Sequence, residues 1–525
     1  MSKRSATWVQ ALNDPGCYPH PISEVAIVET HISWVILTGQ YAYKIKKPVS
    51  FSFVDFSTLE RRRWFCEEEV RLNRRLAPDV YLGVVPITGS PSVPCVDGEG
   101  VPFEFAVKMR QFSSGQEVYK LLASKEKGEA FILELADTIA QFHARIEKAG
   151  EQCVYANPDM IWQAVGECVN EIPLPLLTRN IQECWSEIDT WLRKEWRHLS
   201  DVFLHRKQTG FVRECHGDLH IGNLAVFEEK VCVFDALEFE PRLRWIDVMS
   251  EVAFLVMDLQ KNGRWDLAFL LVNRYLERTG DYSGMAVFRF YQVYRALVRA
   301  KVASLRLEQI EKGKSEWERI CQEMIEYIEL AYRVITSSSS SFLILMHGVS
   351  GTGKTTVSTE VVKALSAIRV RSDVERKRLK SDKQKGNLEE GTKADLYTSN
   401  MTRRTYERLQ DLARTLLHAG SSVVVDGTFL QRGQREAFML LARECSCAFI
   451  LLDVYAPPAV LTERIKCRLL EGRDASDATV DVMKWQRENE ESFTQAEHPY
   501  VVRVDSTDPQ AIISAISELK KITEL

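Results

Sequence analysis

Residues 348–355 read GVSGTGKT and occupy every fixed place of the pattern G-x-x-x-x-G-K-[ST]. Glycines at Gly348, Gly351 and Gly353 let the backbone N–H groups around Val349, Ser350 and Thr352 turn toward one anion, which is how a loop cradles phosphates. Lys354 is placed to reach the terminal phosphates, and Thr355 offers a hydroxyl to magnesium. Thr356 carries the chain into a helix whose N-terminus favours the same negative charge. FLILMH before the motif reads as a buried strand and TTVSTEVVKAL after it as a helix, the context in which this pattern binds nucleotide.

A second set of chemically suited residues lies in HGDLHIGN and FDALEF. Asp218 precedes Asn223 by five positions, and Asp235 follows Asp218 by seventeen, at the end of the strand-like VCVFD. Phosphoryl transfer needs an aspartate to orient the acceptor hydroxyl and oxygen ligands to hold magnesium on the nucleotide. Taken singly, these residues would serve as turn formers or a helix cap. Taken together they have the Asp-x-x-x-x-Asn spacing that kinase catalytic loops place before a metal-binding aspartate.

Such a site also requires a strand lysine braced by a helix glutamate. YAYK ends at Lys44, with Lys46 the alternative on the same strand face, since side chains two apart point the same way. Glu69 is the first choice of partner in RRRWFCEEEVRLNRRL, with Glu68 beside it. No G-x-G-x-x-G precedes Lys44, where Gly39 is the one nearby glycine, so the glycine loop of protein kinases is missing and a protein kinase is not expected.

Beyond the first motif, VRSDVERKRL sets Asp373 three residues before Arg376. A carboxylate there can take a hydroxyl proton while the arginine holds an anionic substrate. SVVVDGTFL ends a buried strand at Asp426, suited to magnesium through water or to substrate. The segment APPAVLTERIKCRLLEGRDASDATVDVMKWQ reads as helix, charged loop, helix, with Arg464, Arg468 and Arg473 available to close over a transferring phosphoryl group. Their ordinary alternatives are a helix cap for Asp373 and exposed helix charges for the arginines.

These residues need elements to hold them. A chain of 525 residues is too long for one core, so two or three domains are expected. The serine run 337–341 has no side chains to pack and marks the expected boundary, giving domains 1–336 and 342–525. The first opens with strand-like AIVETHISWVILTG and QYAYKIKK, adds an extended VPFEFAVKMRQF, and turns mainly helical from about Gln116. With 68 basic against 73 acidic residues, a general nucleic-acid binder is not expected. The opening MSKRSATWVQALNDPG turns polar within a dozen residues and no run of about 18 apolar residues occurs, so neither leader nor membrane span is expected. The twelve cysteines lack C-x-x-C spacing, and reduced thiols in a cytoplasmic protein are the expectation.

HGDLHIGN with FDALEF resembles the aminoglycoside phosphotransferase and choline kinase group of kinase-like folds, over roughly residues 30 to 330. The resemblance implies Asp218 as catalytic base, Asn223 and Asp235 as magnesium ligands, and His216 as a loop-organising residue. Residues 342–525 resemble the small P-loop kinases that include gluconate kinase, zeta toxins and polynucleotide kinase. That likeness implies Asp373 as the substrate-activating aspartate, Arg376 and Arg435 as substrate binders, and Arg464 to Arg473 as a lid. The whole resembles bacterial proteins described as aminoglycoside phosphotransferase-like with an ATP-binding domain. The expected architecture is a bilobal protein-kinase-like α+β fold followed by a parallel-sheet, three-layer α/β P-loop domain. The expected activity is ATP- and Mg2+-dependent phosphorylation of small-molecule hydroxyls at two nucleotide sites. A nucleotide-regulated switch with at most one active site, and a polynucleotide 5'-hydroxyl kinase in the second domain, remain the alternatives.

Overall fold

Period-two alternation makes Tyr41–Lys46 a strand with two unlike faces. Tyr43 and Ile45 pack into one apolar cluster with Trp34, Ile36 and Val85, while Ala42 packs with Cys66, Val70 and Val107 on the other side. A computed structural model of the protein describes residues 7–22, 24–51, 54–112, 116–308, 310–337, 341–386, 399–471 and 478–523. The chain forms two compact units, Met1–Gln163 with Phe203–Asp258, and Ala164–Val202 with Leu259–Leu525.

In the first unit Tyr41–Lys46 is an interior strand of a six-stranded sheet, between Ser33–Leu37 and Glu104–Arg110. All pairings in that sheet are antiparallel. The helix Leu59–Asn73, capped by the Thr58 hydroxyl accepting from the N–H of Arg61, sits against it. After the helix Lys125–Arg145 come two short antiparallel pairs, Val212–Glu214 with Trp245–Asp247 and Leu224–Phe227 with Lys230–Val233. An antiparallel sheet is thus followed by a loop held between short strands and supported by helices.

The second unit carries a five-stranded parallel sheet in the order Ile368–Arg371, Val423–Asp426, Phe342–His347, Ala448–Tyr455, Val501–Asp505. Every residue of the central Phe342–His347 is buried, as an unbroken apolar run in a parallel sheet requires. The helices Lys354–Leu365 and Pro509–Ile522 close one face through Val357, Val361, Leu365, Ala515 and Leu519. The helices Ser399–His418 and Arg432–Glu444 supply further cover, giving a three-layer α/β domain.

Packing does not divide the chain at the serine run, of which residues 338–340 lie outside the described residues. The helices Trp265–Thr279, Met285–Leu307 and Ser315–Thr336 all precede the run yet belong to the second unit. Asn273 on the first of them donates to Ala367 O at 2.9 Å and accepts from the N–H of Arg369 at 2.5 Å. Its carboxamide thus joins the outer edge of strand Ile368–Arg371, a long-range contact that no compositional boundary reveals. No helix among the described residues is long and apolar enough to cross a membrane, and all twelve cysteines are free.

Candidate active sites

Lys44 and Lys46 leave their strand on the same face and meet one carboxylate. Lys44 Nζ lies 2.8 Å from one oxygen of Glu69, and Lys46 Nζ lies 2.7 Å from the other. Lys44 also reaches Asp235 at 2.5 Å, whereas the fully buried Lys46 bonds Glu238. Two roles therefore separate: Lys44 faces the loop aspartate, and Lys46 ties the glutamate to the segment after it. Burial works against the charge on Lys44, but Asp235 and Glu69 outweigh it and raise its pKa well above the ordinary range. Burial would also raise Glu69, yet Lys44 and Lys46 bring its carboxyl down to about 2. Glu68 pairs with Arg71 and Arg244 instead.

The loop from His216 to Asn223 is held from beneath by its backbone. Glu251 accepts the N–H of His216 at 3.2 Å and that of Gly217 at 2.7 Å, and Asp258 accepts that of Ile221 at 2.8 Å. Gly217 has φ +89°, and a Cβ there would stand 2.8 Å from Leu243 O, so only glycine fits. His216 accepts the N–H of Asp218 through Nδ1 at 3.3 Å and so donates from Nε2 to Phe234 O at 2.9 Å. Burial lowers its pKa and keeps the ring neutral, in keeping with that tautomer. Asn223 donates to Asp218 O at 2.9 Å and to Asp218 Oδ2 at 3.1 Å, fixing the carboxylate. Asp235 has φ +65°, donates its N–H to the Tyr81 hydroxyl at 3.2 Å, and its side chain is 47% exposed.

Sequence reading missed Glu251 and Asp258. They lie seven apart, two helical turns, as the two acids in the largely apolar VMSEVAFLVMDLQ, and that pattern was the available signal. Burial would raise Glu251, but the hydrogen bond from His143 at 3.0 Å and the charges nearby bring it down to about 2. A carboxyl depressed in the folded state stabilises above its ordinary value of 4.5 and loses that contribution as pH falls toward about 2. The contribution is on the order of 3 kcal/mol. Thermal melts between pH 6 and pH 3 should therefore show a steeper loss in wild type than in Glu251→Gln, which starts lower and falls less.

In the second unit the phosphate loop joins the central strand to the helix Lys354–Leu365. Gly348 has φ +129°, and a Cβ there would stand 2.4 Å from Val454 O. Lys354 Nζ donates to the carbonyls of Gly348 and Val349, both at 2.8 Å. Thr355 Oγ1 donates to Asp426 Oδ2 at 2.9 Å, so the hydroxyl and carboxylate assigned to magnesium meet. The loop lines a cleft of about 1460 Å³, shared with Thr356, Arg371, Asp373, Arg376, Arg464 and Trp485. The N–H of Ser350 already holds an oxygen, Gln486 Oε1 at 2.8 Å, a partner 136 residues away that sequence spacing could not indicate.

The proposed substrate and lid arginines divide. Arg376 lines the cleft. Arg464 also lines it, bonded to Ser506 Oγ at 2.8 Å and Thr352 O at 3.4 Å, and is thus tied to the phosphate loop. Arg473 lies outside the described residues, and for Arg468 only the helical backbone of Pro458–Glu471 is described. Arg435 corrects the expectation that it binds substrate. It is fully buried, pairs with Glu497 at 2.6 Å, and spends its other donors on the carbonyls of Phe429, Leu430 and Ser492. A guanidinium whose donors are all used inside the fold has none to offer a ligand. Arg435→Ala should leave Glu497 buried without its partner and cost about 3 to 5 kcal/mol in urea unfolding.

Residues 343–492 match the family model described as an AAA domain. The chain is 29% identical over 489 residues to an uncharacterized protein of Mycobacterium tuberculosis, covering 90% of this chain and 91% of that one. A gluconokinase from Sinorhizobium meliloti is similar at 18% identity and TM-score 0.25, over 35% of this chain and 94% of its own. A choline/ethanolamine kinase family protein from Mesorhizobium loti is similar at 10% identity and TM-score 0.35, over 62% of this chain and 97% of its own.

Proposed function

We propose that this chain is an ATP-dependent phosphotransferase with two nucleotide sites, each passing a phosphoryl group to a hydroxyl of a small-molecule acceptor. The observation that carries the reading is the junction at Lys44, which meets Glu69 and Asp235 in the same unit as the Asp218–Asn223 pair. Three residues from three separate stretches of sequence converge at that junction, and their types suit the chemistry of phosphoryl transfer.

The residues present fit nucleotide and magnesium. In the first unit Asn223 and the half-exposed Asp235 offer hard oxygen donors, and a lysine ammonium already sits on Asp235 as a cation. In the second, Thr355 and Asp426 offer the same donor type beside a loop whose N–H groups take an oxygen at Ser350. Bound magnesium would neutralise charge on the nucleotide phosphates. Lys44 holds the phosphates in the first unit, with Glu69 keeping it extended. Asp218 accepts the hydrogen of the acceptor hydroxyl, and Asn223 keeps its carboxylate aimed. In the second unit Lys354 turns from its carbonyl partners to the terminal phosphates. Asp373 takes the acceptor proton, and Arg376 holds an anionic group of that acceptor.

The test is transfer from γ-labelled ATP into a metabolite extract by wild type, Asp218→Asn and Lys354→Ala. Distinct labelled products lost separately in the two variants support two sites and name the acceptors. Release of free phosphate alone would overturn the reading in favour of a nucleotide-driven switch.

A further inference from the structure

Glu277 is a buried carboxylate on the last turn of the helix Trp265–Thr279, in sequence before the serine run and outside residues 343–492. Its Oε1 accepts from Arg369 Nε at 3.1 Å and Nη2 at 2.7 Å, and its Oε2 stands 3.5 Å from Arg371 Nη1. Its backbone carbonyl accepts from Arg378 Nη2 at 2.9 Å. The two arginines lead to the phosphate site by different routes. Arg369 Nη1 donates to Thr355 O at 3.2 Å, Ser358 Oγ at 3.0 Å and Thr359 Oγ1 at 2.7 Å, bracing the first turns of the helix that begins at Lys354. Arg371 lines the cleft, with Nε 3.8 Å from Asp426 Oδ2, the oxygen that accepts the Thr355 hydroxyl.

Arg371 is therefore shared between two carboxylates, one on each side. Burial would raise the Glu277 carboxyl, but Arg369 and Arg371 outweigh it and keep it ionised below its ordinary range. Were Glu277 neutral, Arg371 would be drawn toward Asp426 and compete with Thr355 for the same oxygen, and Arg369 would lose the anchor that holds it against the helix.

We propose that Glu277 is a positioning residue of the C-terminal phosphoryl-transfer site, holding Arg371 clear of Asp426 and Arg369 against the phosphate-loop helix. This rests on the phosphotransferase reading of the second unit. It also means that the P-loop site is completed by a helix from before the serine run.

The test is a double-mutant cycle in the full chain, with Asp218→Asn in every arm so that turnover of γ-labelled ATP reports on the second unit. Glu277→Gln keeps the shape and removes the charge. It should lower kcat roughly 10- to 100-fold, with the KM for ATP moving less than about threefold. In an Arg371→Gln background the same change should cost at least about threefold less than it does alone, because one of its two routes to the site is already cut and only the route through Arg369 remains. Additive losses, or full turnover in a folded Glu277→Gln, would overturn the proposal. Should Glu277→Gln fail to fold, the converse cycle with Arg371→Gln and Arg369→Gln in the wild-type Glu277 background replaces it, and full turnover in both folded single variants would overturn the proposal. A Lys354→Ala arm separates the two readings. Turnover that survives it overturns the phosphotransferase reading itself, whereas turnover that it abolishes but Glu277→Gln leaves intact overturns only the role of Glu277.

Discussion

Asp218→Asn should lower transfer at the N-terminal site by roughly 100- to 10,000-fold while leaving the fold in place. The amide oxygen of the new side chain can still accept from Asn223 Nδ2, now 3.1 Å from Asp218 Oδ2, and the backbone bond from the same amide to residue 218 is untouched. What disappears is the capacity to accept a proton from the acceptor hydroxyl. The loop itself hangs from Glu251 and Asp258 through backbone N–H groups, so thermal stability should move little. Products assigned to the other site should persist at full rate. A stable Asp218→Asn that retains wild-type transfer would remove Asp218 from the chemistry.

Lys354→Ala should act on the second unit, lowering its turnover roughly 100- to 1,000-fold and weakening ATP binding. The ammonium is the one residue of the phosphate loop that brings a full positive charge to the terminal phosphates, where the backbone N–H groups bring only partial ones. Its removal also frees the carbonyls of Gly348 and Val349, both bonded at 2.8 Å to Lys354. Each of these buried carbonyls would lose one donor, a cost of about 1 to 3 kcal/mol, so some stability should go while the fold survives. Equilibrium binding of ADP and labelled transfer, measured on the same preparation, check both halves of this expectation.

What could be read from the sequence followed from how local the determinants are. The phosphate loop is eight consecutive residues between a strand and a helix, and Asp218 with Asn223 share one loop, so spacing alone placed them. Lys44 and Glu69 were legible as strand and helix residues through periodicity, but Glu69 meets Lys46 as well, and what tells the lysines apart is Asp235, 191 residues from Lys44. The misreading of Arg435 has the opposite cause: its partner Glu497 is 62 residues away, and nothing near Arg435 announces a buried anion. Glu277 with Arg369 and Gln486 with Ser350 are separated by 92 and 136 residues and were invisible for the same reason. The serine run was a sound sign of a stretch that cannot pack, but a weak sign of where packing divides, because Asn273 and Glu277 reach past it.

The carboxamide of Asn273 does for strand Ile368–Arg371 what a neighbouring peptide group would do, offering one donor and one acceptor in the ladder direction. That strand is the outermost of the parallel sheet. A recombinant fragment cut at the serines would lose this plug and present unpaired main-chain groups to other copies, an invitation to edge-to-edge association. Anyone preparing the P-loop half for crystallisation or assay should therefore begin the fragment ahead of Trp265, keeping the helix that blunts the sheet.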